Sequence, residues 1–86
     1  MAYGDRRIVY ILRSITTPER HYVGITADLA TRLDWHNHGS CGSTVYHRPW
    51  EIVVSLHFRD EQSALRFERY LKSGSGRAFA RRRFGS

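Results

Sequence analysis

The run R-I-V-Y-I-L-R over residues Arg7–Arg13 constrains this chain more than any other segment. It places five apolar residues between charged ends. All of them except Leu12 are β-branched or aromatic, which is typical of a strand with two covered faces. The run therefore predicts a central strand. A second run, His21–Thr26, follows a turn that contains Pro18, and the two runs predict a β-hairpin.

A helical pattern, an irregular stretch and a third strand-like run follow the hairpin. Thr26 or Asp28 can cap a helix that runs to about Asn37. Residues 38–49 show no periodicity and contain the segment G-S-C-G-S, so we expect a flexible loop there. Residues 50–59 predict the third strand, and their apolar run again predicts two covered faces.

The last third of the chain predicts two helices. Asp60 can cap a helix over about residues 61–73, and the segment S-G-S-G at 73–76 is expected to stop it. Residues 77–84 predict a short third helix, with Phe79 packed inward. The resulting order, β-β-α-β-α-α, indicates an α+β fold in which a three-stranded antiparallel sheet is flanked by helices.

Length and cysteine content limit the possible classes. Eighty-six residues leave no room for a second domain, so we expect a single domain over 1–86 with its core at about 7–84. The longest apolar run is far shorter than the ~20 residues of a membrane span, so no membrane partner is expected. One cysteine, Cys41, excludes an internal disulfide and a zinc site built from several thiolates. A reducing, cytoplasmic location is therefore expected.

The positive charge is concentrated at the C-terminal end. Seven basic residues and one acidic residue lie from Arg66 onward, so this stretch carries the whole net charge of +6. Nearly all of the basic residues are arginine, whose planar fork matches phosphate oxygens two at a time. The distribution indicates a polyanionic partner. A solvated tail that only keeps the protein soluble would have the same composition.

Glu68 does not suit a purely structural role. It lies beside Phe67 and Leu71 on a helix face that should be apolar, and a half-buried carboxylate without a partner is costly. One interpretation is a salt bridge to an arginine. The other is a ligand for a hard divalent ion such as Mg²⁺, which accepts one or two carboxylates together with water and phosphate oxygens.

Two further pairs have both structural and functional interpretations. Arg32 and His36 lie one helical turn apart, either as solvated residues or as an arginine for phosphate charge and a histidine for proton transfer. Tyr10 and Tyr22 lie in adjacent strands of the predicted hairpin, either as core residues or with both phenols on one face.

Taken in order, these residues resemble the GIY-YIG nuclease superfamily, and within it the small stand-alone bacterial members related to the nuclease half of excision-repair endonucleases. The resemblance covers residues 8–84, nearly the whole chain. Its pieces are I-V-Y at 8–10, Y-V-G at 22–24, the helix with Arg32 and His36, R-P-W-E at 48–51, and the helix with Glu68 and Lys72.

The resemblance implies Mg²⁺-dependent or Mn²⁺-dependent hydrolysis of nucleic-acid phosphodiesters with one metal ion. The catalytic residues that it implies are Tyr10, Tyr22, Arg32, His36 and Glu68, with Glu68 as the metal ligand. The nucleic-acid-binding residues that we predict are Gly24, Arg48, Lys72, Arg77, Arg81 and Arg82. Three features depart from the family pattern: Ile8 replaces the first motif glycine, the lysine of some relatives would fall near Ile25, and the late asparagine of some relatives has no counterpart.

The chemistry expected from the resemblance assigns a role to each group. Arg32 would stabilise negative charge on the phosphate, and Tyr10 would take a proton from the attacking water. A free phenol has a pKa near ~10 and is a poor base, so the metal, Arg32 and a protonated His36 would have to favour the phenolate. Tyr22 would orient the water or the phosphate.

The expected function is a divalent-metal-dependent endonuclease, structure-selective or weakly specific on DNA, in a cytoplasmic, nucleoid-associated location. The alternative is a nucleic-acid-binding module of the same fold with little or no turnover. No base-reading motif is present, so a protein partner that supplies specificity is possible, and the choice between DNA and RNA and the oligomeric state stay open. Trp35 and Trp50 are expected to be core residues rather than platforms for stacked bases.

Overall fold

Strand β1, Ile8–Ser14, is the central strand of the computed structural model, which describes residues 5–39 and 42–86. Strands β2 (His21–Thr26) and β3 (Trp50–His57) pair with it on either side, both antiparallel. Four consecutive side chains of β1, from Val9 to Leu12, are each at most 1% exposed. The predicted hairpin and the predicted central strand are therefore confirmed.

Three α-helices surround the sheet: α1 (Leu29–His38), α2 (Glu61–Leu71) and α3 (Gly74–Phe84). Together with the strands they give the order β-β-α-β-α-α, so the predicted α+β class is confirmed. Each helix begins at a side-chain cap, because Asp28, Asp60 and Ser73 accept hydrogen bonds from backbone N–H groups of the first turn. Over the two described ranges, no helix has the length and apolar character needed to cross a membrane.

The helices form two layers, one on each face of the sheet. Val9 and Ile11 point toward α2 and α3, where they pack with Ala64, Leu71 and Ala80. On the opposite face, Tyr10, Leu12 and Trp50 pack with Tyr22 and with Leu29 and Leu33 of α1. Burying an aliphatic side chain of this size contributes about 1.5–3 kcal/mol, so the buried side chains of β1 stabilise the packing on both faces of the sheet.

Strand β3 differs from its prediction. We expected two covered faces over residues 50–59, but β3 ends at His57 and is an edge strand whose burial alternates. Its pairing with β1 is interrupted by a β-bulge between Ile11 and Leu12, and Ile52 is 41% exposed. A strand at the edge of a sheet is covered less completely than a central strand. The apolar run of β3 therefore did not mean that both of its faces are buried.

The stretch between α1 and β3 is more ordered than expected. Residues 42–47 form a 3₁₀ helix, and within it Thr44 is only 4% exposed. The prediction of a flexible loop over residues 38–49 is therefore wrong for this part. Cys41 lies outside the described residues.

The junction of α2 and α3 differs in part from its prediction. α2 ends at Leu71, just before the S-G-S-G segment that was expected to stop it. We expected the third helix only from residue 77, but Ser73 caps α3, and Gly74 and Gly76 belong to its first turn. A Cβ at Gly76 would lie 2.5 Å from the carbonyl carbon of Tyr70. The glycine therefore allows the two helices to meet at a tight corner.

Candidate active site

The register of the hairpin brings both motif tyrosines to one face. Tyr10 pairs with Gly24 and Tyr22 pairs with Leu12, so the two phenol rings are diagonal neighbours with centroids 6.2 Å apart. The Tyr10 ring covers Gly24. A Cβ at Gly24 would lie 2.5 Å from Tyr10 Cζ and 2.9 Å from Tyr22 Cε1. Gly24 is therefore required for the packing of both rings, while its contact with nucleic acid stays a prediction.

His36 connects the tyrosines to the 3₁₀ helix. Its Nε2 atom lies 3.1 Å from Tyr10 Oη, and its Nδ1 atom lies 3.3 Å from Thr44 Oγ1. The Tyr22 ring packs against the imidazole with centroids 4.5 Å apart. Trp50 Nε1 donates to the Thr44 carbonyl oxygen at 2.9 Å, which ties the 3₁₀ helix to β3. The result is a buried chain of polar contacts that runs from β1 through α1 to the 3₁₀ helix.

Burial lowers the pKa of His36 below its ordinary value of 6.5, and the positive charge of Arg32 lowers it further. The imidazole is therefore neutral near pH 7. The lowered pKa disfavours the protonated His36 that we expected to favour a tyrosine phenolate. A neutral imidazole has one donor and one acceptor nitrogen, which matches its two hydroxyl neighbours, Tyr10 and Thr44.

Arg32 lies one helical turn before His36 and packs on Trp35. The guanidinium carbon lies 5.0 Å from the Trp35 ring centroid, which is cation–π geometry, and the Trp35 ring lies 5.4 Å from the imidazole. Trp35 is 44% exposed, so the prediction that it is a core residue is wrong. Trp50, in contrast, is 5% exposed, and its predicted core position is confirmed. Arg32 and Trp35 thus form a solvent-accessible edge beside the buried histidine.

Glu68 lies on α2, in the layer opposite α1. Its Oε2 atom lies 2.6 Å from Lys72 Nζ, and its side chain is 15% exposed. We had considered a salt bridge to an arginine as the structural alternative, and the partner is instead a lysine one turn further along the same helix. This pair satisfies the half-buried carboxylate within the protein.

The donor set around Glu68 fits one hard divalent ion. In residues 5–39 and 42–86, no three His, Cys, Asp or Glu side chains converge into a cage. Mg²⁺ commonly binds through one or two carboxylates and completes its coordination with water and phosphate oxygens. Glu68, a largely buried carboxylate, could supply one such ligand, and the metal site itself stays a prediction.

A cleft of about 450 Å³ lies where the start of β2 meets α2 and α3. Three predicted nucleic-acid-binding residues, Lys72, Arg77 and Arg81, line it together with Tyr22. Because the Tyr22 ring packs against His36, the cleft and the tyrosine–histidine cluster share one residue of β2. Lys72 lies one turn from Glu68 on α2, which places the carboxylate close to the same cleft.

The structure thus brings together most of the predicted site residues, in two adjoining groups. Tyr10, Tyr22, Arg32 and His36 cluster on the α1 side, and Lys72, Arg77 and Arg81 gather around the cleft. Arg48 and Arg82 join neither group among the described residues. Arg48 donates to the Gly39 carbonyl oxygen at 3.1 Å, and Arg82 is exposed in the last turn of α3.

Sequence reasoning missed Thr44. It lies in a stretch without periodicity, and an isolated threonine after G-S-C-G-S carries no signal that it will be buried against a histidine. Only the fold, which seats the 3₁₀ helix between α1 and β3, assigns it to the site.

Comparison with known proteins places this geometry in context. Residues 6–82 match the family described as the GIY-YIG catalytic domain. The chain is 41% identical over 71 residues to the structure-specific endonuclease subunit SLX1 of Candida dubliniensis, covering 74% of this chain and 25% of that relative. It is 40% identical over 65 residues to the structure-specific endonuclease subunit slx1 of Talaromyces stipitatus, covering 69% and 17% respectively.

The matches cover only a small part of each relative. The chain spans a quarter or less of the length of these curated relatives. A third relative, the subunit SLX1 of Debaryomyces hansenii, is 34% identical over 71 residues and is matched over 20% of its length. No solved structure matches this chain.

Proposed function

This chain belongs to the GIY-YIG catalytic domain family, and on that premise we propose that it is a divalent-metal-dependent endonuclease that cuts structured DNA. The relatives named above are fungal subunits of structure-specific endonucleases, which supports the structure-selective form of the proposal. Their description as subunits also supports a protein partner. The narrower resemblance to bacterial excision-repair members stays a prediction.

One juxtaposition carries the proposal. The Tyr22 ring packs on the buried Tyr10–His36 pair, and Tyr22, a residue of the edge strand β2, also borders a cleft lined by Lys72 and Arg77, so a phenol of fixed orientation lies next to a surface suited to phosphates. The partners of both ring nitrogens of His36 fix the imidazole on which the Tyr22 ring packs. Such second contacts hold a reactive ring within the narrow range of positions that catalysis requires.

Burial divides the roles of the two tyrosines. Tyr10 is 1% exposed, whereas Tyr22 is half-buried and lines the cleft. The group that takes a proton from the attacking water must be within hydrogen-bond reach of that water. We therefore assign the base to Tyr22 instead of Tyr10, and we assign Tyr10 and the neutral His36 to positioning the Tyr22 ring.

Arg32 is the second group that faces the substrate. Its guanidinium rests on the Trp35 ring at the edge of the site, where it can donate two parallel hydrogen bonds to non-bridging phosphate oxygens. Negative charge that develops on the phosphate in the transition state is stabilised there more strongly than in water, because the donors are already oriented. Loss of Arg32 should therefore slow cleavage more than it weakens binding.

Glu68 is the residue that would hold the metal ion. When bound, Mg²⁺ supplies Lewis-acid stabilisation of phosphate oxygens during an in-line displacement. The carboxylate forms an ion pair with Lys72 in this structure, so Lys72 is positioned to neutralise Glu68 or to contact a phosphate itself. Both members of this ion pair lie in the C-terminal part of α2 and its cap.

A panel of nucleic acids tests the proposal. The purified protein is incubated with Mg²⁺ or Mn²⁺ and with single-stranded, duplex, flap and branched DNA, and with the corresponding RNA. We expect cleavage of flap or branched DNA and little cleavage of intact duplex. Binding without cleavage of any substrate, in either metal, would instead identify a nucleic-acid-binding module that has lost turnover.

A further inference from the structure

Trp35 presents part of its indole ring to solvent at the edge of the proposed active site. The residue is 44% exposed, whereas Trp50, the second tryptophan of the chain, is 5% exposed in the core. A single exposed apolar residue is common on protein surfaces, so the exposure alone does not indicate a role. The groups that surround the ring decide whether it has one.

The ring of Trp35 has a defined position beside two residues of the site. The Arg32 guanidinium carbon lies 5.0 Å from the ring centroid, and the His36 ring lies 5.4 Å from it at an interplanar angle of 59°. Gly39, the C-cap of α1, leaves room for the indole, since a Cβ there would lie 2.7 Å from Trp35 Cδ1. Contacts within and at the end of α1 therefore hold the exposed ring next to the arginine that is expected to bind phosphate.

Arg32 and Trp35 together offer the two kinds of contact that a nucleotide makes. A guanidinium stacks through its flat face and donates hydrogen bonds through its edge, so Arg32 can keep its contact with the ring while it binds a phosphate. Of the ion pairs within residues 5–39 and 42–86, none includes Arg32, so no carboxylate in these ranges competes with that phosphate. An aromatic ring, in turn, stacks on the face of any base.

We infer that the exposed part of the Trp35 ring stacks on an unpaired base of the DNA substrate, next to the phosphate that Arg32 contacts. The inference rests on the proposed function, because this phosphate is the one that the proposed endonuclease cuts. A base in an intact duplex is paired and stacked between its neighbours, so it must leave the stack to reach Trp35. A flap or fork offers an unpaired base without that cost. Trp35 thereby contributes to selectivity for structured DNA.

Tryptophan fluorescence tests the contact without metal and without cleavage. The protein is titrated with a short thymidine oligonucleotide and with an oligomer of the same length built from abasic units. We expect the thymidine oligomer to bind about tenfold more tightly, the usual effect of stacking one base on an aromatic side chain, and to quench the emission. In Trp35→Leu only the buried Trp50 emits, so the quenching should be lost. Equal affinity of the parent for both oligomers, or equal quenching of the parent and Trp35→Leu, overturns the inference.

A conservative variant separates stacking from a structural role of the ring. Trp35→Phe keeps an aromatic face, whereas Trp35→Leu keeps only an apolar side chain that suits a helix. We expect Trp35→Phe to retain most of the preference for thymidine over abasic units and Trp35→Leu to lose it, with both variants folded in urea denaturation. If both variants keep the preference of the parent, the base binds elsewhere and the inference fails.

A forked DNA separates this inference from the proposed function. Abasic units at the unpaired positions beside the junction keep the phosphates and remove the bases. The parent should cut the normal fork about tenfold faster than the abasic fork at low protein concentration, and Trp35→Leu should cut both at similar rates. If Trp35→Leu slows cutting of both forks equally, Trp35 acts only by holding Arg32, and the stacking contact is excluded.

The two proposals fail in different ways. Equal cutting of both forks by the parent overturns the stacking contact but leaves the nuclease intact. Base-dependent quenching of Trp35 in a protein that cuts no nucleic acid overturns the nuclease but leaves the stacking contact intact.

Discussion

Tyr10 and His36 share a hydrogen bond of 3.1 Å in the interior of the protein, where each side chain is 1% exposed. Two polar groups at such depth are costly unless each finds a partner, and here each is the other's partner. The bond joins the central strand to α1 and fixes the ring against which Tyr22 packs. This relationship leads to separate predictions for the two tyrosines.

Tyr22→Phe and Tyr10→Phe should have different effects. Tyr22→Phe removes the proposed base, so the single-turnover cleavage rate should fall by roughly a hundredfold or more, with little change in stability. Tyr10→Phe removes a buried hydrogen bond, so the free energy of unfolding should fall by about 1–3 kcal/mol while cleavage falls less. Urea unfolding and single-turnover kinetics on both variants measure this. A larger loss of rate in Tyr10→Phe than in Tyr22→Phe would return the base to Tyr10.

Gly24→Ala should disrupt the tyrosine pair. The added methyl group would overlap the Tyr10 ring, and overpacking of this kind typically costs about 1–3 kcal/mol. Gly74→Ala is the matched control, because a Cβ at Gly74 meets no heavy atom within 4 Å and the position lies in a helix. Urea denaturation should show lower stability for the first variant and unchanged or slightly higher stability for the second. Equal stability of Gly24→Ala and the parent would mean that the rings move aside freely.

Thr44→Val should change the hydrogen bonding of the His36 ring, which Thr44 contacts across eight positions of the sequence. It replaces the hydroxyl beside His36 Nδ1 with a methyl group of similar size, and removing one partner of a buried polar contact costs about 1–3 kcal/mol. Thr44→Ser keeps the hydroxyl and should restore the ¹⁵N chemical shifts of the His36 ring. If Thr44→Val leaves those shifts unchanged, Thr44 does not set the tautomer of His36.

The stability of the protein should depend on His36 between pH 7 and pH 5. Burial and Arg32 lower the pKa of His36 in the folded state, so below about pH 6.5 the unfolded chain binds a proton that the folded protein does not. The free energy of unfolding should therefore fall as the pH decreases through this window, and be unaffected by His36 above it. The capping carboxylates Asp28 and Asp60 have pKa values lowered from 3.8 by hydrogen bonds from Thr31 and Ser63. Their contribution to stability is therefore lost only at a lower pH, where they become protonated.

Comparison with His36→Gln isolates this effect. The variant has no titrating ring, so its stability should change less than that of the parent between pH 7.5 and pH 5.5. Parallel pH dependences of the parent and the variant would show that other groups account for the decline.

The strands could be predicted from the sequence because their apolar runs are short, dense and bounded by charges or turns. The observed range of β2 equals the predicted one, and β1 shifts by a single residue. Burial of individual faces was harder to predict. The apolar run of β3 is typical of a central strand, yet its position at the sheet edge depends on the order β2-β1-β3, which is a property of the whole fold.

For the site, too, the residues could be predicted from the sequence but their contacts could not. Tyr10, Tyr22, Arg32 and His36 follow from spacing and family resemblance, whereas their contacts depend on register and on long-range packing. Trp35 could have been assigned to the surface, since it lies off the helix stripe formed by Leu29 and Leu33. Thr44 had no such signal, because its role arises only where the 3₁₀ helix meets α1.

The role of Glu68 is the central claim about the chemistry, and one pair of assays on Glu68→Gln tests it most directly. Cleavage of a forked DNA in Mg²⁺ is compared between the parent, Glu68→Gln and the control Glu61→Gln, which lies on the same helix and pairs with Arg6. Binding of the same DNA is followed by fluorescence anisotropy. We predict that Glu68→Gln binds the fork within a few-fold of the parent but cuts it at least a hundredfold more slowly, while Glu61→Gln behaves like the parent. Full Mg²⁺-dependent cleavage by Glu68→Gln would contradict the account.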